Sequence, residues 1–88
     1  MRRSKLEMHI SILEALVYNG PLRITRITYT AKMNFGQLKP IIEDLIQKKL
    51  IEEKRFKKKK IAYSATPRAK TILSYFNELK EILPVPEV

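Results

Sequence analysis

Residues 50–67 read LIEEKRFKKKKIAYSATP, and this stretch decides the architecture. Leu50 and Ile51 open an extended segment over about residues 50–56. Ile61, Tyr63 and Ala65 then alternate with Ala62 and Ser64, which is the two-residue period of a strand. The lysines between them, Lys57 to Lys60, cannot pack and mark a solvated tip. The stretch therefore predicts a hairpin with a basic tip. Thr66-Pro67 follows as a cap and a proline at the first position of a helix.

That helix is expected to run to about Leu83 and to stop at Pro84 and Pro86. Ala69, Ile72, Leu73, Phe76, Leu79 and Leu83 share one face, which Tyr75 and Ile82 widen. Toward the N-terminus, Asn34 with Gln37 three residues on reads as a capping box. The helix it opens turns Leu38, Ile41, Ile42 and Leu45 inward, and its outer ridge is Gly36, Pro40, Glu43 and Gln47. Pro40 predicts a distorted start or a kink. A shorter helix over 24–32 puts Ile24, Ile27 and Ala31 inward and points Arg26, Tyr29 and Lys32 away. A first helix is capped by Ser4 with Glu7 and ended by Asn19-Gly20-Pro21. It is apolar on two sides: Leu6, Ile10, Leu13 and Val17 on one, Met8, Ile12 and Ala15 nearly opposite. Such a helix is expected to be sandwiched between its own core and either a second element or a second subunit. The order helix, helix, helix, hairpin, helix describes a mainly α fold with a small β-hairpin, a winged helix-turn-helix with an extra C-terminal helix. Residues 1–66 would form the winged unit and 67–88 a dimerisation helix and tail, in one compact domain.

The chain has 88 residues, enough for one small domain and too few for a deep substrate cavity. A chain of this size buries a modest share of its surface, and oligomerisation is a common remedy. It has no cysteine, which excludes disulfide staples, thiolate metal sites and cysteine nucleophiles. Apolar residues make up 44%, too many for a disordered tail. No signal peptide or membrane span is visible, and a cytoplasmic, nucleoid-associated location is expected.

Charge is the strongest functional signal. Eighteen Lys and Arg oppose nine Asp and Glu, for a net +9. Residues 1–66 carry the whole surplus, so an anionic partner should meet that part of the chain. Six of the seven residues from Lys54 to Lys60 are basic: Lys54, Arg55, Lys57, Lys58, Lys59 and Lys60. The plain reading is a soluble loop that blocks edge aggregation. Phosphate contact explains four mutually repelling lysines better, and lysine acts there as a point charge with little sequence information. Arg2, Arg3 and Lys5 read either as a solubility tail or as an arm along a nucleic-acid backbone. Arg23, Arg26, Tyr29 and Lys32 either clamp phosphates or form a solvated face. On the third helix only Phe35, Gly36, Gln37 and Lys39 suit a groove. Gln37 suits adenine and Phe35 a thymine methyl, unless Gln37 only caps the helix and Phe35 packs inward. Glu43-Asp44 and Glu52-Glu53 read as solvated surface, and the single histidine, His9, as a packed residue. No constellation supports a catalytic or metal site, and no cofactor or small-molecule effector is evident.

The chain resembles the small archaeal winged-helix family of chromatin-associated proteins and transcription regulators. The resemblance rests on Arg3-Ser4-Lys5-Leu6-Glu7, Ile12-Leu13-Glu14-Ala15, Arg26-Ile27-Thr28-Tyr29, Leu38-Lys39, Leu50-Ile51 and Tyr63-Ser64-Ala65-Thr66-Pro67-Arg68-Ala69, over about residues 2–80. It implies DNA binding, and dimerisation through a C-terminal helix paired antiparallel with its mate. Met8 and Ile12 of the first helix and Ile72, Tyr75, Phe76, Leu79, Ile82 and Leu83 of the last are the expected interface.

The expectation is therefore a homodimer that binds double-stranded DNA, with or without sequence preference, as a transcription regulator or nucleoid-associated protein. The alternatives are a winged-helix interaction module of the transcription machinery, or RNA binding. An enzyme is not expected.

Overall fold

A computed structural model describes residues 4–57 and 60–83, with Phe56 described by its backbone. In chain order the elements are α1 (Lys5–Asn19), β1 (Leu22–Arg23), α2 (Ile24–Ala31), α3 (Phe35–Gln47), β2 (Ile51–Lys57), β3 (Lys60–Ala65) and α4 (Pro67–Ile82). The strands form one antiparallel sheet in the order β1-β3-β2.

Three of the four helices, α1, α3 and α4, start at a side-chain cap. The Ser4 hydroxyl accepts from the Glu7 amide at 3.0 Å, and the Glu7 carboxylate accepts from the Ser4 amide at 3.3 Å. Asn34 and Gln37 repeat the device at the head of α3, at 2.8 and 3.3 Å. These pairs satisfy amides that a helix start leaves without partners. Thr66 caps α4 by accepting from the Ala69 amide, and its own hydroxyl donates to the Lys49 carbonyl at 2.8 Å. One side chain thus starts α4 and pins it to the end of α3. At the end of α1, Gly20 has φ 78°, which a side chain would strain, and its amide donates to the Leu16 carbonyl at 3.0 Å.

Pro40 lies inside α3, which runs on both sides of it from Phe35 to Gln47. Proline withholds the N–H that the Gly36 carbonyl would accept, but both residues lie on the exposed side. Water can satisfy that carbonyl, so the helix survives.

Ile12, Leu13, Ile27, Leu38, Leu45 and Ile51 are fully buried and come from α1, α2, α3 and β2. Helix α1 lies at the centre: it packs against α2, α3, α4 and β3, and Ile10, Ile12, Leu13, Ala15 and Leu16 are all buried. Its middle is thus covered on both apolar sides by its own chain, while Leu6 at its start stays exposed. This corrects the place expected for Ile12. With 0% exposure it has no surface to offer a second subunit, and its role is packing within the fold.

The sequence reading assigns no strand between α1 and α2, but Leu22 and Arg23 pair with Tyr63 and Ala62 and add a third strand. Two residues are too few to show a period. Lys57 and Lys60, read as part of a solvated tip, are exposed and paired with each other as strand residues. Lys58, Lys59, Pro84 and Pro86 lie outside the described residues.

Candidate nucleic-acid interface

The turn between α2 and α3 is built tightly. Lys32 adopts φ 55°, its amide donates to the Tyr29 carbonyl, and the Met33 amide donates to the Thr28 carbonyl at 3.0 Å. This is a Schellman closure of α2 with lysine in the left-handed position. Met33 is buried and plugs the turn into the core, and Asn34 at once caps α3. Three residues therefore fix two helices relative to each other.

Pairing with β3 ties the hairpin to this unit. Arg23 ends β1, precedes α2 and faces Ala62 of β3, while α3 packs against β2. On the hairpin Lys54 pairs with Ala62, Arg55 with Ile61 and Lys57 with Lys60, with an irregularity in register between Arg55 and Lys57. Lys54 also lies 3.9 Å from Glu52 in an exposed ion pair, which contributes little to stability. Placing Lys57 opposite Lys60 opposes like charges at the end of the ladder, an arrangement that destabilises a hairpin unless an anion offsets it.

The exposed side of the helical pair carries Arg26, Tyr29, Phe35, Gly36, Gln37, Lys39 and Pro40. Tyr29 is 82% exposed and Phe35 53%, so Phe35 does not pack inward. The Lys39 ammonium lies 5.9 Å from the centre of the Phe35 ring, a cation–π contact across one helical turn. Gln37 is different: its side-chain oxygen accepts from the Asn34 amide, so it serves as a cap. The further half of α3 is acidic on this side. The hydroxyl of Tyr63 on β3 is held above the usual tyrosine range, first by burial and then by the carboxylates of Glu53 and Glu43. Two carboxylates, Glu43 and Glu53, thus lie near Tyr63 beside α3, whereas Lys39 puts a cation on its first two turns.

Lys5 is exposed at the start of α1; Arg2 and Arg3 lie outside the described residues. Of the residues expected at a dimer contact, Met8, Ile72 and Phe76 are half-buried against the chain's own core. Tyr75, Leu79, Ile82 and Leu83 are exposed large side chains on or just past α4, and the Lys80 ammonium lies 5.2 Å from the Phe76 ring centre.

Asp44 corrects an expectation. Read as solvated surface, it accepts from the Lys48 ammonium at 2.9 Å and faces the His9 Nε2 at 3.1 Å. Sequence reading missed this link, because 35 residues separate the two. Lys48 and His9 hold the Asp44 carboxyl below the usual aspartate value. A groove of about 560 Å³ opens beside it between α1, α3 and α4, floored by Ile10, Leu13, Ile41 and Leu45. It meets α3 on the edge away from Phe35 and Lys39. Among the described residues no three His, Cys, Asp or Glu gather as metal ligands would, and no helix is long and apolar enough to cross a membrane.

A tight helix pair, a three-stranded antiparallel sheet ending in a hairpin, and a fourth helix define a winged-helix fold, one used by transcription regulators. The winged helix-turn-helix family model matches residues 2–83, and the chain belongs to that family. No curated protein matches it. Among solved structures it is similar to RV1404 from Mycobacterium tuberculosis, with TM-score 0.78, 13% identity, and 85% of this chain and 52% of the other covered. BpsR from Bordetella bronchiseptica, whose DNA binding is regulated by 6-hydroxynicotinic acid, superposes with TM-score 0.77 and 17% identity over 85% of this chain and 54% of its own. Sso10a-2, a DNA-binding protein from Sulfolobus solfataricus, gives TM-score 0.73 and 21% identity over 92% of this chain and 85% of its own. The chain spans about half the length of RV1404 and BpsR. Identities this low establish the fold.

Proposed function

We propose that the chain binds double-stranded DNA as a homodimer and acts as a transcription regulator or nucleoid-associated protein, akin to the archaeal winged-helix chromatin proteins. The first two turns of α3 enter the major groove, and the basic hairpin lies along flanking phosphates. Arg23, Arg26, Tyr29 and Lys32 approach one strand's backbone beside α2. The exposed row Tyr75, Leu79, Ile82 and Leu83 pairs with its counterpart in a second copy. No chemical step is part of this role.

The observation that carries the reading is the hairpin. Lys57 faces Lys60 across the ladder within a segment where six of seven residues are basic. A fold gains nothing from that opposition, whereas a phosphate between two ammonium groups relieves it. Affinity then comes chiefly from neutralised phosphates. If each subunit covers about five, log affinity falls with log salt with a slope of about −4 to −5 per subunit. A fluorescence-anisotropy titration against a short duplex at several salt concentrations measures this. A chain that binds no duplex at physiological salt would defeat the reading.

A further inference from the structure

We propose that α3 discriminates between duplexes by the C5-methyl groups of thymine, read by the Phe35 ring, and not by hydrogen bonds to base edges. The inference rests on the DNA-binding reading above and names what that site recognises.

Its basis is what the outer surface of α3 can and cannot offer. Over the first two turns the exposed residues are Phe35, Gly36, Gln37, Lys39 and Pro40. The major-groove code is read by paired donors and acceptors, as when glutamine or asparagine grips adenine or arginine grips guanine. Phenylalanine, glycine and proline have no polar side-chain atom. The Gln37 oxygen that a two-point contact with adenine needs is turned back on the Asn34 amide at 3.3 Å. Lys39 brings a single ammonium, already lying over the Phe35 ring at 5.9 Å. What remains is hydrocarbon, and the only hydrocarbon in the base-pair code of the major groove is the thymine methyl.

Gly36 strengthens the argument. Glycine weakens a helix relative to alanine, and no packing neighbour excludes a Cβ here. Its φ is not positive, and a Cβ at this position would meet only the Asn34 side-chain oxygen, at an ordinary 3.4 Å. The missing side chain lowers the profile of α3 beside Phe35 on the exposed side, where only something outside the chain can profit. Phe35 itself, 53% exposed, leaves apolar ring surface in water that a methyl would cover. Lys39, one turn on, supplies the positive charge that makes a polyanion the fitting occupant of this apolar edge.

The test compares two duplexes of about 20 base pairs, A·T-rich and identical except that deoxyuridine replaces every thymidine in one. This change removes the methyl and leaves every groove donor and acceptor in place. The wild-type chain should bind the uridine duplex about three- to fourfold more weakly for each methyl that Phe35 covers. The salt slopes should be equal, since the phosphates are the same. Phe35→Ala should bind both duplexes alike, while Phe35→Leu keeps part of the difference. A thermal melt of each variant confirms that it is folded. Equal wild-type affinity for the two duplexes, with a normal salt slope, would overturn the inference and leave DNA binding standing. A preference for thymidine that persists in folded Phe35→Ala would overturn it as well. If neither duplex binds, the underlying reading fails instead.

Discussion

The Nε2 atom of His9 lies 3.1 Å from the Oδ2 atom of Asp44, and this contact joins the start of α1 to the middle of α3. The other ring nitrogen faces the Lys5 carbonyl at 2.7 Å. A carbonyl and an ionised carboxylate can only accept, so the ring donates through whichever nitrogen carries its proton. Lys48 completes the cluster by donating to the same carboxylate oxygen at 2.9 Å. The helix proposed to enter the groove is thus tethered on its far side to the central helix.

The tether should fade in acid. Asp44 is held below its ordinary value of 3.8 in the folded chain, first by the hydrogen bond from Lys48 and then by that from His9. A carboxyl with a depressed folded value stabilises the fold above the unfolded value, and that contribution disappears as pH falls through the folded value. The stability difference between wild type and Asp44→Asn should therefore be present at pH above 3.8 and shrink below it. Urea unfolding at a series of pH values measures it, and a difference that grows in acid would contradict the assignment.

Ile12→Ala should be the more damaging of two substitutions on α1. Ile12 has no exposed surface, whereas Leu6 is 60% exposed. Losing the buried side chain leaves a cavity and should cost about 2–5 kcal/mol, against about 0.5 kcal/mol or less for Leu6→Ala. Chemical denaturation separates the two. If Ile12 lay in a dimer contact and not in the core, its effect would vary with protein concentration.

Lys49 offers a gain. It sits at φ 60° in the turn from α3 to β2, a conformation that costs a side chain about 1 kcal/mol and costs glycine almost nothing. Its carbonyl, which accepts from Thr66, is unchanged by substitution. Lys49→Gly should raise stability by about 0.5–1 kcal/mol and the melting temperature by a few degrees.

Replacing Lys57, Lys58, Lys59 and Lys60 together with alanine should flatten the salt dependence of duplex binding by about three to four units per subunit. The unbound fold should be no less stable, since the change removes the opposition of Lys57 and Lys60. An unchanged slope would remove the hairpin from the interface.

Leu79→Glu with Ile82→Glu should convert the chain to a monomer. Both side chains are exposed, so the fold tolerates the charges, but a paired helix would have to bury them. Sedimentation equilibrium should give twice the 10.3 kDa chain mass for wild type and the single mass for the variant. A wild-type chain that is monomeric at all concentrations would end the dimer proposal.

Helix starts, the hairpin and the order of the four helices around it were legible in the sequence. Ser4 with Glu7 and Asn34 with Gln37 act across three residues, and residues 61–65 pair as one strand, although Ala62 and not Ile61, Tyr63 or Ala65 is its buried residue. Interactions of such short range travel with the chain whatever surrounds it. Tertiary structure alone decided which surfaces were covered. The middle of α1 proved to be interior on both sides, so Ile12 went to the core; Leu22 and Arg23 became a strand once β3 lay beside them; Asp44 found His9 across 35 residues. At the head of α3 it also left Phe35 open, where the sequence allowed that ring to pack inward. Periodicity tells which residues share a side of a helix. What lies against that side depends on segments far along the chain, and only their packing can say.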